Sequence, residues 1–338
     1  MSGFPFIEVS GDYYDIGFQI GSRFKKQFKK ALSFNFKALK NSSKDIDYFI
    51  DLSSKDLVFT KKYFPHLINE IKGMADGSGV DSDLLWLLND EDILLDSVTK
   101  CTTIVSRRND NIFLYHNEDF YSDFIDNMYV FKVNLNNKIK ILGLNYAGLI
   151  LGSSTSLNSF GLIQCINSVY HNSFKRGIPK NIISRAVMES KSLNEAVRII
   201  SNKNSGSGYN HVLVKDNKIF DVESIGSDSK VFDIRSSSYL HTNHYLYSKF
   251  DKDAENIPSS VSRYDNALSL LKYSMPLDHG KIISVLSSHD GSGTICRHRS
   301  RKLPESTIAS IIVDSNNLKL YLSKGYRCRS RIYDGYSM

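Results

Sequence analysis

The hydrophobic period of this chain changes at Cys101. On the N-terminal side Ile16, Ile20, Phe24, Phe28 and Leu32 recur every fourth position while Lys25, Lys26, Lys29 and Lys30 fall on the other side, the pattern of an amphipathic helix. A second helical region carries Leu57 and Phe64, then Leu67, Ile71 and Met74 beyond Pro65, and stops at Gly77 and Gly79. Asp81 or Ser82 caps a short helix whose run Leu84-Leu85-Trp86-Leu87-Leu88 is apolar enough to be buried on most sides. From Cys101 onward the period is two. Thr102–Ser106, Ile112–Tyr115, Met128–Val133 and Ile139–Leu144 read as successive strands of an antiparallel meander, and Gly148–Gly152 with Gly161–Cys165 as a hairpin around Asn158-Ser159. A chain so divided is neither all-helical nor all-β.

Later segments extend the alternation. Pro179 opens a helix through Val187, and Ser192 with Glu195 forms a capping-box pattern for the next. Strand character returns at Val212–Val214, Ile219–Glu223 and Val231–Ile234, helices at Tyr264–Tyr273 and Gly280–Ser287, and a closing hairpin at Ile308–Val313 and Leu318–Leu322. Polar Asn41-Ser42-Ser43 connects the first two helical regions. Helices, strands, helices and strands predict an α+β class built from packed layers.

Bulk properties exclude several functions. No apolar run reaches the roughly 18 residues that span a bilayer, and Met1–Phe6 has neither a basic nor an apolar signal region, so the chain reads as cytoplasmic with no membrane partner. The net charge of +7 is divided as −2 over residues 1–100, with 13 basic and 15 acidic groups, and +9 over the remainder. The basic groups are scattered and not interleaved with aromatics, which argues for a solvated surface and against a nucleic-acid partner. Cys101, Cys165, Cys296 and Cys328 are too widely spaced for a CxxC motif and read as free thiols. Neither the acidic turn Asn89-Asp90-Glu91-Asp92 nor the pair His241 and His244 has the further ligands a metal site needs. No metal or cofactor is expected.

Cys101 stands at the first residue of a strand. A lone cysteine is more often a small buried hydrophobe than a catalyst, but its surroundings say more. Cys101-Thr102-Thr103, followed by Asp119 within Asn117-Glu118-Asp119, resembles the penicillin acyltransferase family (acyl-coenzyme A:6-aminopenicillanic acid acyltransferase), cysteine members of the N-terminal nucleophile hydrolases. Four further blocks are similar and occur in the family's order: Gly11–Gly21; Glu70–Ala75 with Leu87-Leu88-Asn89; His241-Thr242-Asn243-His244; and Thr294-Ile295-Cys296-Arg297.

The resemblance implies a four-layer αββα fold with two stacked, mainly antiparallel sheets. It also implies autocatalytic cleavage at Lys100–Cys101, separating a helical prosegment, residues 1–100, from a catalytic chain, 101–338, that remain packed as one domain. A thiol attacks acyl carbon as the thiolate, and a free cysteine of pKa about 8.5 is only slightly ionised at neutral pH. Cleavage would give Cys101 an α-amine of pKa about 7.7–8.0 as its own general base. By the same resemblance Asp119 orients amine and thiol, Asn243 stabilises the oxyanion, and Ser224, one position off a family serine, assists processing. The family's glycine before the cysteine is Lys100 here, and its late Ser-Arg pair has no equivalent, since Leu303-Pro304 stands there and Arg297, Arg299 and Arg301 take no assigned part. Cys165, Cys296 and Cys328 read as core or support. The expected activity is amide cleavage or acyl transfer through an acyl-thioester on Cys101, with a small-molecule amide or acyl substrate. The rivals are an unprocessed thiol hydrolase with a histidine base and a silent relative that binds an acyl or amino-acid ligand.

Overall fold

The computed structural model describes residues 3–39, 44–94, 100–171, 175–251, 257–272, 278–290, 293–300, 304–330 and 333–338. The connector at 41–43, Tyr273, Arg301 and Leu303 lie outside them.

One sheet has eight strands: β1 (Phe6–Gly11), β4 (Met128–Leu135), β5 (Ile139–Tyr146), β6 (Ser156–Asn158), β7 (Ile163–Ser168), β8 (Tyr209–Lys215), β9 (Lys218–Ile225) and β10 (Asp228–Ile234), in that spatial order. The other has six, ordered β11 (Ser238–His241), β2 (Lys100–Arg108), β3 (Asn111–Tyr121), β12 (Glu305–Asp314), β13 (Lys319–Lys324) and β14 (Asp334–Ser337). Every pairing is antiparallel except β1 with β4. The ten helices among the described residues are α1 (Tyr13–Arg23), α2 (Lys25–Leu39), α3 (Ile46–Tyr63), α4 (Pro65–Ser78), α5 (Ser82–Asn89), α6 (Lys180–Val187), α7 (Leu193–Ile200), α8 (Ser248–Asp251), α9 (Pro258–Lys272) and α10 (His279–Leu286).

The sheets stack face to face. Val105, Leu114 and Ile311 of the six-stranded sheet share one core with Val133, Ile141 and Val212 of the eight-stranded sheet. On the outer face of the six-stranded sheet, Ile104, Tyr115 and Leu240 pack against Ala267 and Leu271 of α9 and Ile282 and Val285 of α10. The remaining long helices cover the eight-stranded sheet, giving the αββα order.

Several elements depart from the sequence expectation. The four strands after Cys101 do not form one meander: β2–β3 and β4–β5 are hairpins in different sheets, because the 3₁₀ turn Ser122–Asn127 carries the chain across the sandwich. Period-two alternation fixes which face is buried but not which sheet buries it. The helix through Ile16–Leu32 breaks at Phe24 into α1 and α2, although all five stripe residues stay buried. Strand β1 precedes both helices where only helical pattern is evident, and Gly148–Gly152 forms turns in place of a strand. Ser192 caps α7 as expected, while Glu195 reaches back to the N–H of Lys191 at 2.8 Å.

Candidate active site

Cys101 enters β2 opposite Glu118, and Thr103 opposite His116. Alternation sorts their side chains. Cys101, Thr103, His116 and Glu118 share the face of Val105 and Leu114, toward the space between the sheets. Lys100, Thr102, Asn117 and Asp119 share the face of Ile104 and Tyr115, toward α9 and α10.

The thiol sits among polar groups with almost no exposure. Cys101 Sγ lies 3.7 Å from Glu118 Oε1, while Glu118 Oε2 lies 3.3 Å from His116 Nε2 and accepts from Ser154 Oγ. His116 Nδ1 is 2.8 Å from Thr103 Oγ1 and 3.1 Å from Cys165 Sγ. Because the Thr103 hydroxyl donates to Asn167 Oδ1 at 3.0 Å, Nδ1 must donate to Thr103, and Nε2 faces a carboxylate. That arrangement favours the protonated ring. The electrostatics agree: burial opposes the charged imidazole, but the facing Cys165 and Cys101 thiols and Glu118 outweigh it and raise the His116 pKa. Burial likewise opposes the Glu118 carboxylate, yet His116 and Ser154 hold it below its usual range. The Cys101 thiol itself is pushed up to about 12, first by burial and then by Glu118. In the intact chain it is therefore a thiol.

The backbone at Cys101 is held as tightly. Its N–H donates to Asn243 Oδ1 at 2.7 Å, and its carbonyl accepts from Arg263 Nη1. Arg263 also donates to Thr102 Oγ1 at 2.9 Å and, through Nη2, to Asn243 Oδ1 at 2.7 Å. Asn243 Nδ2 donates to Ser168 O at 2.9 Å, and its backbone N–H to Ser260 Oγ at 2.6 Å. The two donors on Oδ1 and the carbonyl on Nδ2 fix the amide orientation. Burial drives the Arg263 pKa down to about 10, with Asp119 pulling the other way.

A profile of the acyl-coenzyme A:6-aminopenicillanic acid acyl-transferase family matches residues 105–327. The chain belongs to this family. A curated relative, the beta-alanyl-dopamine/carcinine hydrolase of Drosophila melanogaster, is 24% identical over 91% of this chain and 89% of its own length. Two crystal structures of conjugated bile acid hydrolase from Clostridium perfringens superpose with TM-score 0.50, at 13% and 15% identity over 70% of this chain and 92% of theirs. The fold is that of the N-terminal nucleophile hydrolases.

Within this acyl-transferase fold the expected site residues separate. Cys101 and Asn243 meet, but through Asn243 Oδ1 at the Cys101 N–H; the side-chain donors expected at an oxyanion are turned to Ser168. Asp119 lies on the other face of β3 from the thiol, where it accepts from Thr307 Oγ1 at 2.6 Å, and burial lifts it to about 6 against the pull of Arg263 and Arg297. Lys100 pairs with Glu305 at 2.5 Å. The Ser224 hydroxyl donates to Tyr209 O at 2.9 Å and joins neither cluster. His241 and His244 do not converge: His241 Nε2 lies 3.2 Å from Glu223 and His244 Nδ1 2.9 Å from Ser260 Oγ. Glu91 and Asp92 of the acidic turn enclose buried Lys180 at 3.4 and 2.7 Å.

No motif assigns a role to His116, Glu118 or Arg263, although the sequence carries a signal for each. His116 and Glu118 continue the inward register of Leu114 on β3. Arg263 occupies the buried stripe Ser260, Arg263, Ala267 and Leu271 of α9. Charge at a position whose period demands burial is costly unless paired, and that conflict marks a site.

Proposed function

We propose that this protein is a self-processing cysteine N-terminal nucleophile enzyme that cleaves a linear amide through an acyl-thioester on Cys101. The observation that carries the reading is the Cys101 N–H held by Asn243 Oδ1 at 2.7 Å beside a thiol 3.7 Å from a carboxylate. That arrangement suits both a scissile peptide nitrogen and, once cleaved, an α-amine.

In the intact chain Cys101 has no α-amine, and Glu118 Oε1, 3.7 Å from the thiol, is a carboxylate that can take its proton. His116, whose ring nitrogens face Thr103 Oγ1 and the Glu118 carboxylate and whose pKa is raised, suits an electrostatic partner better than a base, which disfavours a histidine-dependent, unprocessed hydrolase. Cys101 Sγ attacks the Lys100 carbonyl carbon, the C–N bond breaks, and the thiol proton passes by way of Glu118 to the departing Cys101 nitrogen. Water then hydrolyses the thioester, leaving a Lys100 carboxylate and a free thiol. Thereafter the α-amine, hydrogen-bonded to Asn243, takes the thiol proton and returns it to the leaving amine of each substrate. Arg263 on the Cys101 carbonyl fixes the strand start, and Asp119 with Arg263 and Thr307 braces it from the helix side. Asn167, whose buried Nδ2 has no hydrogen-bond partner in the structure, is available as an oxyanion donor. Water as acceptor gives hydrolysis and an amine gives acyl transfer.

The similar proteins are named as hydrolases of beta-alanyl-dopamine or carcinine and of conjugated bile acid, so amides of these two classes are the first substrates to screen. The test is an intact-mass spectrum with N-terminal sequencing. Fragments of 100 and 238 residues, the larger beginning Cys101-Thr102-Thr103, are expected. Cys101→Ala should remain whole and inactive, and Glu118→Gln should be cleaved far more slowly, while residues 101–338 of the same variant co-expressed with residues 1–100 retain turnover. A wild-type chain that stays intact yet turns over amides would overturn self-processing. Ligand binding without turnover or cleavage would favour a silent relative.

A further inference from the structure

A second thiol cluster lies apart from Cys101. After α10, Ser288 O accepts from the N–H groups of Ile295 and Cys296 at 3.2 and 3.0 Å. This returns His289 beside Cys296 and His298. The short turn Arg327–Arg329 that follows β13 brings Cys328 to the same place. One ligand atom from each of His289, Cys296, His298 and Cys328 lies within 4.8 Å of all the others. His298 Nε2 is 3.0 Å from Cys328 Sγ. The two imidazoles meet edge to face at 4.7 Å and 84°, and the His298 ring is held by stacking on Tyr326 at 4.1 Å.

We propose that these four residues form a structural zinc(II) site. Two thiolates and two imidazoles are a donor set that tetrahedral zinc takes, and four protein ligands leave no open position for catalysis. A zinc tetrahedron of this kind has donor–donor edges of roughly 3.4–3.8 Å, from Zn–S of about 2.3 Å and Zn–N of about 2.1 Å. Small movements of the four side chains, the His298–Cys328 pair opening slightly and longer edges closing, therefore complete the site. Packing does not account for the cluster, since His289 and Cys328 are exposed while Cys296 is buried. A Cys296–Cys328 disulfide would use the sulfurs but leave the convergence of both imidazoles without a purpose. Binding releases the two thiol protons to solvent and leaves a neutral centre, and His289 and Cys328 at the surface give the ion its entry.

Arg297 sits between two of the ligands, which gives the site its consequence. Its N–H donates to Thr307 Oγ1 at 2.9 Å, its carbonyl accepts from Thr307 N at 3.0 Å, and Thr307 Oγ1 donates to Asp119. Its guanidinium reaches Glu305 at 3.4 Å, the same carboxylate that holds Lys100. Zinc would thus pin the C-terminal turn to the strand edge behind the proposed scissile bond.

The experiment is metal analysis of the untagged full-length protein by inductively coupled plasma mass spectrometry. About one zinc per chain is expected in the wild type and in Cys101→Ala, with loss of that equivalent in Cys328→Ser and His289→Ala. Cobalt(II) added to chelator-treated protein should give thiolate charge-transfer and tetrahedral ligand-field absorption, both lost in Cys328→Ser. Should a variant fail to fold, alkylation of the wild type decides: zinc should protect Cys328 and chelation should expose it. Folded wild type without zinc and without the cobalt spectrum overturns the site, as does an intact mass lower by two hydrogens from a disulfide. Metal that survives Cys328→Ser but vanishes in Cys101→Ala also overturns it, placing the ion at the nucleophile.

Discussion

At the scale of single residues, the site is governed by burial acting on charge. Asp119 is raised from its ordinary 3.8 to about 6 because desolvation exceeds the attraction of Arg263 and Arg297. A carboxyl whose pKa is higher in the folded than in the unfolded chain favours the fold below the unfolded value, and that contribution is lost as pH rises through the folded one. Its loss between pH 4 and pH 7 is about 2 kcal/mol. Urea unfolding of Asp119→Asn against the wild type at both pH values should show the variant gaining in relative stability as pH rises; an unchanged difference would mean that Asp119 is ionised throughout. Cys101 and Asn243 were legible in sequence because their motifs carry them. Glu118 is legible only as part of a motif, since the face to which a strand residue turns is not written beside it.

At the scale of elements, α1 and α4 show how composition becomes geometry. Gly17 and Gly21 face the α4 backbone, and Gly73 and Gly77 face the α1 backbone. A Cβ at Gly17 would meet Glu70 O at 2.1 Å, and one at Gly77 would meet Phe18 O at 2.2 Å, so the helices pack at backbone contact. A carbonyl fixed in a helix cannot yield as a flexible side chain does. Gly77→Ala should therefore cost about 1–3 kcal/mol, the penalty of overpacking, measured as a lower urea midpoint with unchanged slope. Gly79, at the αL end of α4 with φ 67° and open space about it, is a C-cap of a different kind. The spacing of Gly17, Gly21, Gly73 and Gly77 was visible in the sequence, but spacing names no partner; that α1 meets α4 and not α2 is a tertiary outcome.

At the scale of the whole molecule, residues 1–100 and 101–338 are interleaved across both helix and sheet. Strand β1 pairs with β4 over Phe6–Gly11. Fully buried Glu70 meets Arg185 at 2.8 Å, and Asp56 meets Arg176 at 2.8 Å and the Gly177 N–H at 2.8 Å. Cleavage at Lys100–Cys101 severs one peptide bond and none of these contacts. The two chains should co-elute as one particle in gel filtration and separate only in denaturant. Arg185→Met strands the Glu70 carboxylate in the core and should cost about 3–5 kcal/mol, read from chemical unfolding. Separation of the chains in native buffer would contradict the interleaving.

The sequence by itself determined the α+β class, the position of Cys101 where helical period gives way to strand period, the buried stripes of the helices, and the family. The class, the change of period and the stripes follow from local propensity and periodicity, which need no partner to be read, and the family from the resemblance of its motifs. The tertiary structure alone decided that two hairpins serve different sheets, that Asp119 turns away from the thiol while Glu118 and His116 turn toward it, and that Arg263 reaches the Cys101 carbonyl. It alone brought His289, Cys296, His298 and Cys328 together. Each depends on contacts between residues far apart in the chain, whose pairing is set by how whole faces pack.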